Sequence, residues 1–436
     1  MALGGGTFTV QNKELPGAYI NFVSAASANA ELSERGFATM PLELDWGKEN
    51  EIFEVTNEDF LKNSLEIFGY EYSHKKLKGI RDLFLNARVL YAYRLNSGGE
   101  KASNTFAEAV YSGTRGNDLK TVVQQNVDSE ELYDVKTLLG NIEVDEQTVK
   151  TAAELLDNAF VKWKKEAALS VTAGTPLEGG TNGEVNGAAH QAYLDKTEAY
   201  SFNVMGAAVT DEATKMLYTS FCRRMRDEMG IKFQLVLYNY AKADYYGVIS
   251  VKNKTLDSEW NESSLVYWVT GAAAGCAVNR SNQNKVYNGE FTVDAGYTQA
   301  ELKAAVRAGE FVFHRVGKDV RVLDDINTMT TVTETQGEVF KDNQTIRVMD
   351  QIANDIAVLF NTKYLGVVPN DNAGRISLWS DIVKHHEKLR EIRAIENFSD
   401  KDVTVSEGNS KKSVTVTDLV TVVNAMGKLY MTVTVQ

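Results

Sequence analysis

The last nine residues, Lys428 to Gln436, read KLYMTVTVQ. Leu429, Met431, Val433 and Val435 alternate with Tyr430, Thr432 and Thr434, the period of two that marks a half-buried strand. Gly427 precedes the run and no turn or charged cap follows it. A chain that ends on a bare strand must pair it with something, because an unpaired edge is an open template for another chain. The opposite end repeats the pattern. Thr7-Phe8-Thr9-Val10 is strand-like and hangs from Gly4-Gly5-Gly6, a lead too flexible to fix its position. After the Pro16-Gly17 turn, Ala18-Tyr19-Ile20-Asn21-Phe22-Val23 reads as a second short strand. The expectation is a body that holds out two arms, residues 1–25 and 427–436.

The whole chain of 436 residues, with 43% hydrophobic and 24% charged side chains, suffices for several globular cores. A net charge of −13 argues against a general nucleic-acid binder, since phosphate binding needs a basic surface. Two distant cysteines, Cys222 and Cys276, make a disulfide framework improbable and fit a reducing compartment. No basic region followed by an apolar core marks a signal peptide, and the apolar run 265–278 is too short to span a bilayer. The expected setting is therefore the cytoplasm, with no membrane insertion.

The order of patterns predicts a multidomain α+β and α/β protein. Residues 26–100 mix strands with two helices, the first capped by Thr56 and Asp59 and facing inward through Phe60, Leu61, Leu65 and Phe68. Residues 101–175 carry short strands with regular turn signals, a small β-sandwich or barrel. Residues 176–342 alternate strands and helices, an open and largely parallel sheet. Residues 343–426 open with a helix whose stripe is Met349, Ile352, Ile356, Leu359 and Phe360, followed by a second helix at about 376–395 and three strand-like runs.

Chemistry is harder to find. Leu177 to Gly183, LEGGTNG, is a glycine-rich loop ahead of a helix, but it lacks the Walker Lys-Ser/Thr and the G-x-G-x-x-G order. It reads as a tight turn. No G-x-S-x-G elbow occurs, and both cysteines fall inside helical patterns. His385 and His386 are adjacent, so on a helix they point to different faces and cannot chelate one metal together. No catalytic, cofactor or metal set emerges; the rival reading, a hydrolase or nucleotide-binding enzyme using the α/β region, needs a motif that is missing. Lys384, Lys388, Arg390 and Arg393 make one helix locally basic, either a solvated face interleaved with Glu387 and Glu391 or a docking surface for an acidic partner.

Taken together, GGGTFTVQNKELPGAYINFV, RGFATMPLELDWG, YSGTRGNDL, VDEQTV, LEGGTNG, RVLDDINT (321–328) and the KLYMTVTV terminus resemble the contractile tail sheath proteins of myophages and R-type bacteriocins, in particular the compact type of Gram-positive prophages. The resemblance covers essentially the whole chain. It implies a non-enzymatic subunit that polymerises with itself as hexameric rings around an inner tail tube protein, meeting baseplate and tail terminator proteins at the ends and needing no cofactor. It implies a central region similar in fold to subtilisin but without protease function. The arms would pass into neighbouring subunits through Phe8, Val10, Tyr19, Ile20 and Phe22 at one end and Leu429, Met431, Val433 and Val435 at the other. Gly17 and Gly427 would be the hinges, and Lys384, Lys388, Arg390 and Arg393 would face the tube.

Overall fold

The computed structural model describes residues 32–435, which fall into two compact units. One comprises 39–78 and 89–198, the other the described residues up to 38, 79–88 and those from 199 onward. Strand β1 (Phe37–Leu42) carries residues of both. The expected arm residues Phe8, Val10, Gly17, Tyr19, Ile20 and Phe22 lie outside the described residues.

In the first unit, β2 (Ile52–Thr56) pairs antiparallel with β3 (Val89–Arg94), Ile52 opposite Tyr93 and Thr56 opposite Val89. Helix α1 (Asn57–Phe68) starts on a complete capping box: the Thr56 hydroxyl accepts from the Asp59 amide, and the Asp59 carboxylate accepts from the Thr56 amide. Phe60, Ser64 and Phe68 form its buried face, whereas Leu61, expected inward, is 59% exposed. Leu61 lies one residue, about 100° of helical turn, from Phe60 and so falls outside the stripe that Phe60, Ser64 and Phe68 define. A one-turn 3₁₀ segment (Lys75–Leu77) leads out of this unit into α2 (Lys78–Phe84), whose residues from Gly79 on belong to the second unit.

The β-rich part pairs β4 (Ala107–Ala109) with β8 (Val161–Trp163) and builds a four-stranded antiparallel sheet from β5 (Leu119–Gln125), β6 (Tyr133–Leu139), β7 (Ile142–Val149) and β9 (Thr175–Pro176), in the order β7-β6-β5-β9. Along β6, Val135, Thr137 and Leu139 are buried while the residues between them are not, the alternation of a sheet with one wet face. These side chains join Trp46, Phe106, Phe160 and Trp163 in one core, with Trp46 and Phe160 stacked 6.0 Å apart. The unit closes on α3 (Gly187–Thr197).

In the second unit, β10 (Val204–Ala207), β11 (Gln234–Tyr238), β12 (Val248–Val251) and β13 (Glu310–Phe311) lie parallel in that order. All four are buried throughout, as parallel strands covered on both faces must be. The covering helices include α4 (Glu212–Arg223), the alanine-rich α5 (Leu265–Gly275) and α6 (Gln299–Arg307). Gly206 of β10 lets α5 approach closely: a Cβ there would stand 2.1 Å from the Thr270 hydroxyl oxygen. Next come a hairpin of β14 (Phe313–Val316) and β15 (Asp319–Val322), helices α7 (Asn343–Leu359) and α8 (Asn372–Glu391), and two small antiparallel pairs. These are β16 (Ile395–Glu396) with β19 (Thr421–Val422), and β17 (Val403–Glu407) with β18 (Val414–Asp418).

Helix α7 departs from its expected stripe. Leu359 is buried in the core of α8, Ile395, Phe398 and Val403 as expected, but Ile352, Ile356 and Phe360 are only half-buried against it, and Met349 is half-buried. The fully buried face runs through Ile346, Arg347, Asp350, Gln351 and Asp355. Ion pairs explain the inversion, since a charge goes inside when it is matched and hydrogen-bonded. Arg226 grips Asp350 with both terminal nitrogens at 2.7 Å, and Arg347 reaches Asp325 at 2.6 Å. Burial alone would lift the Asp325 carboxyl; the Arg347 guanidinium overrides it and holds the group below the usual carboxylate range.

Candidate assembly site

The C-terminal segment is built out from α7. Asp342 caps that helix, its carboxylate accepting from the Gln344 amide at 2.7 Å and the Thr345 amide at 3.3 Å. Burial, reinforced by the charge of Asp325, pushes Asp342 up to about 6. The two side chains just inside the cap then take hold of the chain's end. Gln344 donates to the Val423 carbonyl at 3.0 Å and accepts from the Ala425 amide at 2.9 Å, closing a two-bond ring as a neighbouring strand would. The Thr345 hydroxyl accepts from the Asn424 side-chain Nδ2 at 3.1 Å. On the other side the Val423 amide donates to the Ala394 carbonyl at 2.9 Å, continuing the β16–β19 pair.

Beyond Ala425 the anchoring stops. Met426 is fully exposed, and Leu429, Met431, Val433 and Val435 are 86%, 74%, 68% and 88% exposed. Tyr430 is 87% exposed, so both faces of the alternation are in solvent. Among the described residues no strand pairs with this stretch. Six exposed large apolar or aromatic side chains within residues 426–435 are what an unfilled protein interface looks like. At Gly427 an added Cβ would come within 3.1 Å of the Gln283 side chain only. The positive charge of Lys428 is felt by Asp324, whose carboxyl burial pushes up and Lys428 partly pulls back.

The four cations of α8 and its end are not brought to the segment. Lys384, Arg390 and Arg393 are exposed and Lys388 is half-exposed, on the side of α8 away from its buried residues Ile382, His385, His386 and Leu389. Arg390 donates to the Phe398 carbonyl at 3.0 Å, and Arg393 sits in a left-handed turn at φ 61°. The two histidines do diverge, but only through Nε2: His385 Nε2 meets Asp355 Oδ2 at 2.9 Å and His386 Nε2 meets Asp418 Oδ2 at 2.8 Å. Their Nδ1 atoms face each other at 3.2 Å.

LEGGTNG offers no open cradle. The Gly180 amide donates to Asn117 Oδ1, Thr181 to the Glu100 carbonyl and Gly183 to the Asn96 carbonyl, so the amides an anion would need are spent on the protein. Cys222 is buried, its thiol pushed up to about 12 by burial, and burial raises Cys276 as well; neither supplies a thiolate nucleophile. Among the described residues no helix is long and apolar enough to cross a membrane.

The described residues thus combine a parallel sheet with helical cover, a β-rich domain and an exposed apolar C-terminal segment. The comparisons with known proteins agree along the whole chain. Residues 35–95 match the tail sheath protein Gp18 domain III N-terminal region, 97–182 the phage tail sheath protein beta-sandwich domain, 183–328 the phage tail sheath protein central domain and 335–436 the phage tail sheath C-terminal domain. The sheath tail protein of Desulfitobacterium hafniense is similar in structure, with a TM-score of 0.83 and 36% identity over 94% of this chain and 97% of that one. The sheath tail protein of Listeria innocua follows at 0.79 and 29%, over 92% and 95%. The phage-like element PBSX protein XkdK of Bacillus subtilis is 30% identical over 99% of this chain and all of its own length. The chain belongs to the phage tail sheath protein family. The mixed α+β fold with its sandwich domain is that family's fold.

Proposed function

We propose that this chain is a contractile sheath subunit, not an enzyme, that polymerises by giving its terminal strand to another copy of itself. The free, alternating segment 428–435, tethered at Gln344 and otherwise in solvent, carries the reading. Strand addition joins two chains through main-chain hydrogen bonds and leaves alternate side chains to fill pockets. Nine residues reach roughly 30 Å, and about eight backbone bonds at ~1 kcal/mol net each make a strong link. The β17–β18 hairpin is the matching acceptor, a two-stranded sheet whose β18 side chains are nearly all exposed.

In this reading the subunits stack as hexameric rings around an inner tube, with Lys384, Lys388, Arg390 and Arg393 toward an acidic tube surface, and with baseplate and terminator proteins at the ends. The N-terminal arm, with Phe8, Val10, Tyr19, Ile20 and Phe22 and a hinge at Gly17, plays the reciprocal part to the hinge at Gly427. The body keeps six parts, 1–25, 26–100, 101–175, 176–342, 343–426 and 427–436, the fourth being a subtilisin-like core without a protease site. Contraction is a passage from a metastable extended polymer to a lower-energy one, with nearly rigid bodies and arms that keep the mesh joined. It needs no nucleotide because the energy is stored at assembly. The helical sheath of the anti-feeding prophage in its contracted state shares the fold, with a TM-score of 0.56 at 12% identity, which supports the contractile reading.

Deleting Lys428 to Gln436 tests the proposal. The truncated subunit is expected to fold and stay soluble while forming no tubes by negative-stain microscopy or sedimentation. Normal tubes from the truncated chain would refute strand donation.

A further inference from the structure

Residues 328–341 leave the body and return to almost the same place. At the base the fully buried Asn327 holds both returning residues: its amide donates to the Lys341 carbonyl at 3.1 Å and its side-chain Nδ2 to the Phe340 carbonyl at 2.8 Å. Thr328 is buried beside it, its hydroxyl donating to the Tyr245 carbonyl at 2.9 Å and accepting from the Tyr245 amide at 3.1 Å. From Thr330 to Thr335 every residue is exposed. A surface loop whose ends meet in this way is a compact unit of the kind that often carries function.

Asp244 clasps the outer part. It sits in the left-handed region at φ 40°, where a short polar side chain is tolerated. Its Oδ1 accepts from the Thr330 amide at 2.6 Å, the Thr330 hydroxyl at 3.0 Å and the Thr331 amide at 3.0 Å, and its Oδ2 from the Thr331 hydroxyl at 2.5 Å. Burial would lift the Asp244 carboxyl; the Thr331 hydroxyl and the other three donors override it and hold the group well below the usual carboxylate range. All four bonds lie at the surface, so water can replace them at modest cost.

Beneath the loop a stack of side chains ends on a buried ion pair. Phe340 meets Tyr246 edge-on, 5.8 Å between ring centres, and the other neighbour of the Tyr246 ring is the Arg226 guanidinium at 5.0 Å. Arg226 is the bidentate partner of Asp350 in α7, the two side chains being 1% and 8% exposed. Its Nε is buried with no partner. Water admitted here would find that nitrogen unsatisfied and would weaken the attraction of the pair, which depends on a dry surrounding.

We propose that residues 330–340 form a lid, clasped by Asp244, that opens independently of the body and admits water to the Arg226–Asp350 pair, loosening the body's hold on α7. Because α7 grips residues 423–425 through Gln344 and Thr345, the lid sets how firmly the root of the terminal segment is held. Only that last role rests on the strand-donation reading. The lid and its effect on α7 are properties of the subunit alone.

Amide hydrogen exchange on the full chain tests it. In the parent, Thr330 and Thr331 should exchange by local opening, at least about tenfold faster than the slowest amides of β11. Asp244→Ala should speed them at least about tenfold more and quicken residues 350–355 of α7 several-fold, with little change in the thermal midpoint. Thr330→Val with Thr331→Val, which leaves Asp244 and its turn intact and removes only the two hydroxyl donors, should act in the same direction and less strongly. In a chain carrying Arg226→Met with Asp350→Leu, adding Asp244→Ala should leave α7 exchange unchanged. Thr330 and Thr331 amides that exchange only with global unfolding in the parent would overturn the lid. So would α7 exchange indifferent to both clasp variants, or one that rises equally without the ion pair.

Discussion

Val433→Asp separates the interface face of the terminal strand from the subunit's own stability. Val433 is 68% exposed and touches no core, so in the isolated subunit the change should shift stability by no more than about 0.5 kcal/mol. If the segment is donated as proposed, the same side chain is covered in the polymer. Losing its burial removes about 1.5–3 kcal/mol, and seating a carboxylate in an apolar pocket adds to the cost, for a total of ~3 kcal/mol or more per contact. At 1.4 kcal/mol per factor of ten, the critical concentration for polymerisation should rise at least about 100-fold. Thr434→Asp, one residue on and on the opposite face, should raise it no more than a few-fold. Sedimentation of the two variants over a concentration series reads the difference directly, with a thermal melt of each subunit as the control. Equal effects at 433 and 434, or a Val433→Asp chain that polymerises like the parent, would refute the face assignment and with it the alternation argument.

Arg226→Met leaves Asp350 buried without its bidentate partner and should destabilise the subunit by about 3–5 kcal/mol, most of which Arg226→Met with Asp350→Leu should recover; urea unfolding followed by tryptophan fluorescence measures both. Asp342 is raised from 3.8 to about 6, so the folded state binds its proton more tightly and the group costs stability as pH rises through the window from about 4 to 6. Asp342→Asn keeps a good N-cap without that cost, and should stabilise the protein by about 2–3 kcal/mol at pH 7 and by little at pH 4 in the same unfolding assay.

Much of the fold was legible because it is local. Runs such as QLVLY and VISV are largely apolar without alternation, the mark of a parallel strand covered twice, and Thr56 with Asp59 announces a helix start in four letters. The stripe of α7 misled because period alone ranks Ile352 and Ile356 above Arg347 and Asp350. The partners that take those charges inside, Asp325 and Arg226, lie 22 and 124 residues away. The tether was invisible for the same reason: nothing near Gln344 announces a strand end 79 residues on. The histidine pair shows a subtler limit. Adjacent helical positions do send two side chains apart, yet an imidazole has two nitrogens, and the divergence of one pair brought the other together. The alternation of the terminal segment was legible as a pattern, and the structure shows it exposed and unpaired among the described residues.

Helix α7 has a mechanical consequence. Its first turn grips residues 423–425 through Gln344 and Thr345, and eleven residues on Asp355 grips Ser33, the second described residue of the chain. At 1.5 Å per residue, these two grips are roughly 16 Å apart along one rigid rod. A pull reaching Ser33 or residues 423–425 therefore meets the same helix. Tension between those two grips would run along its axis.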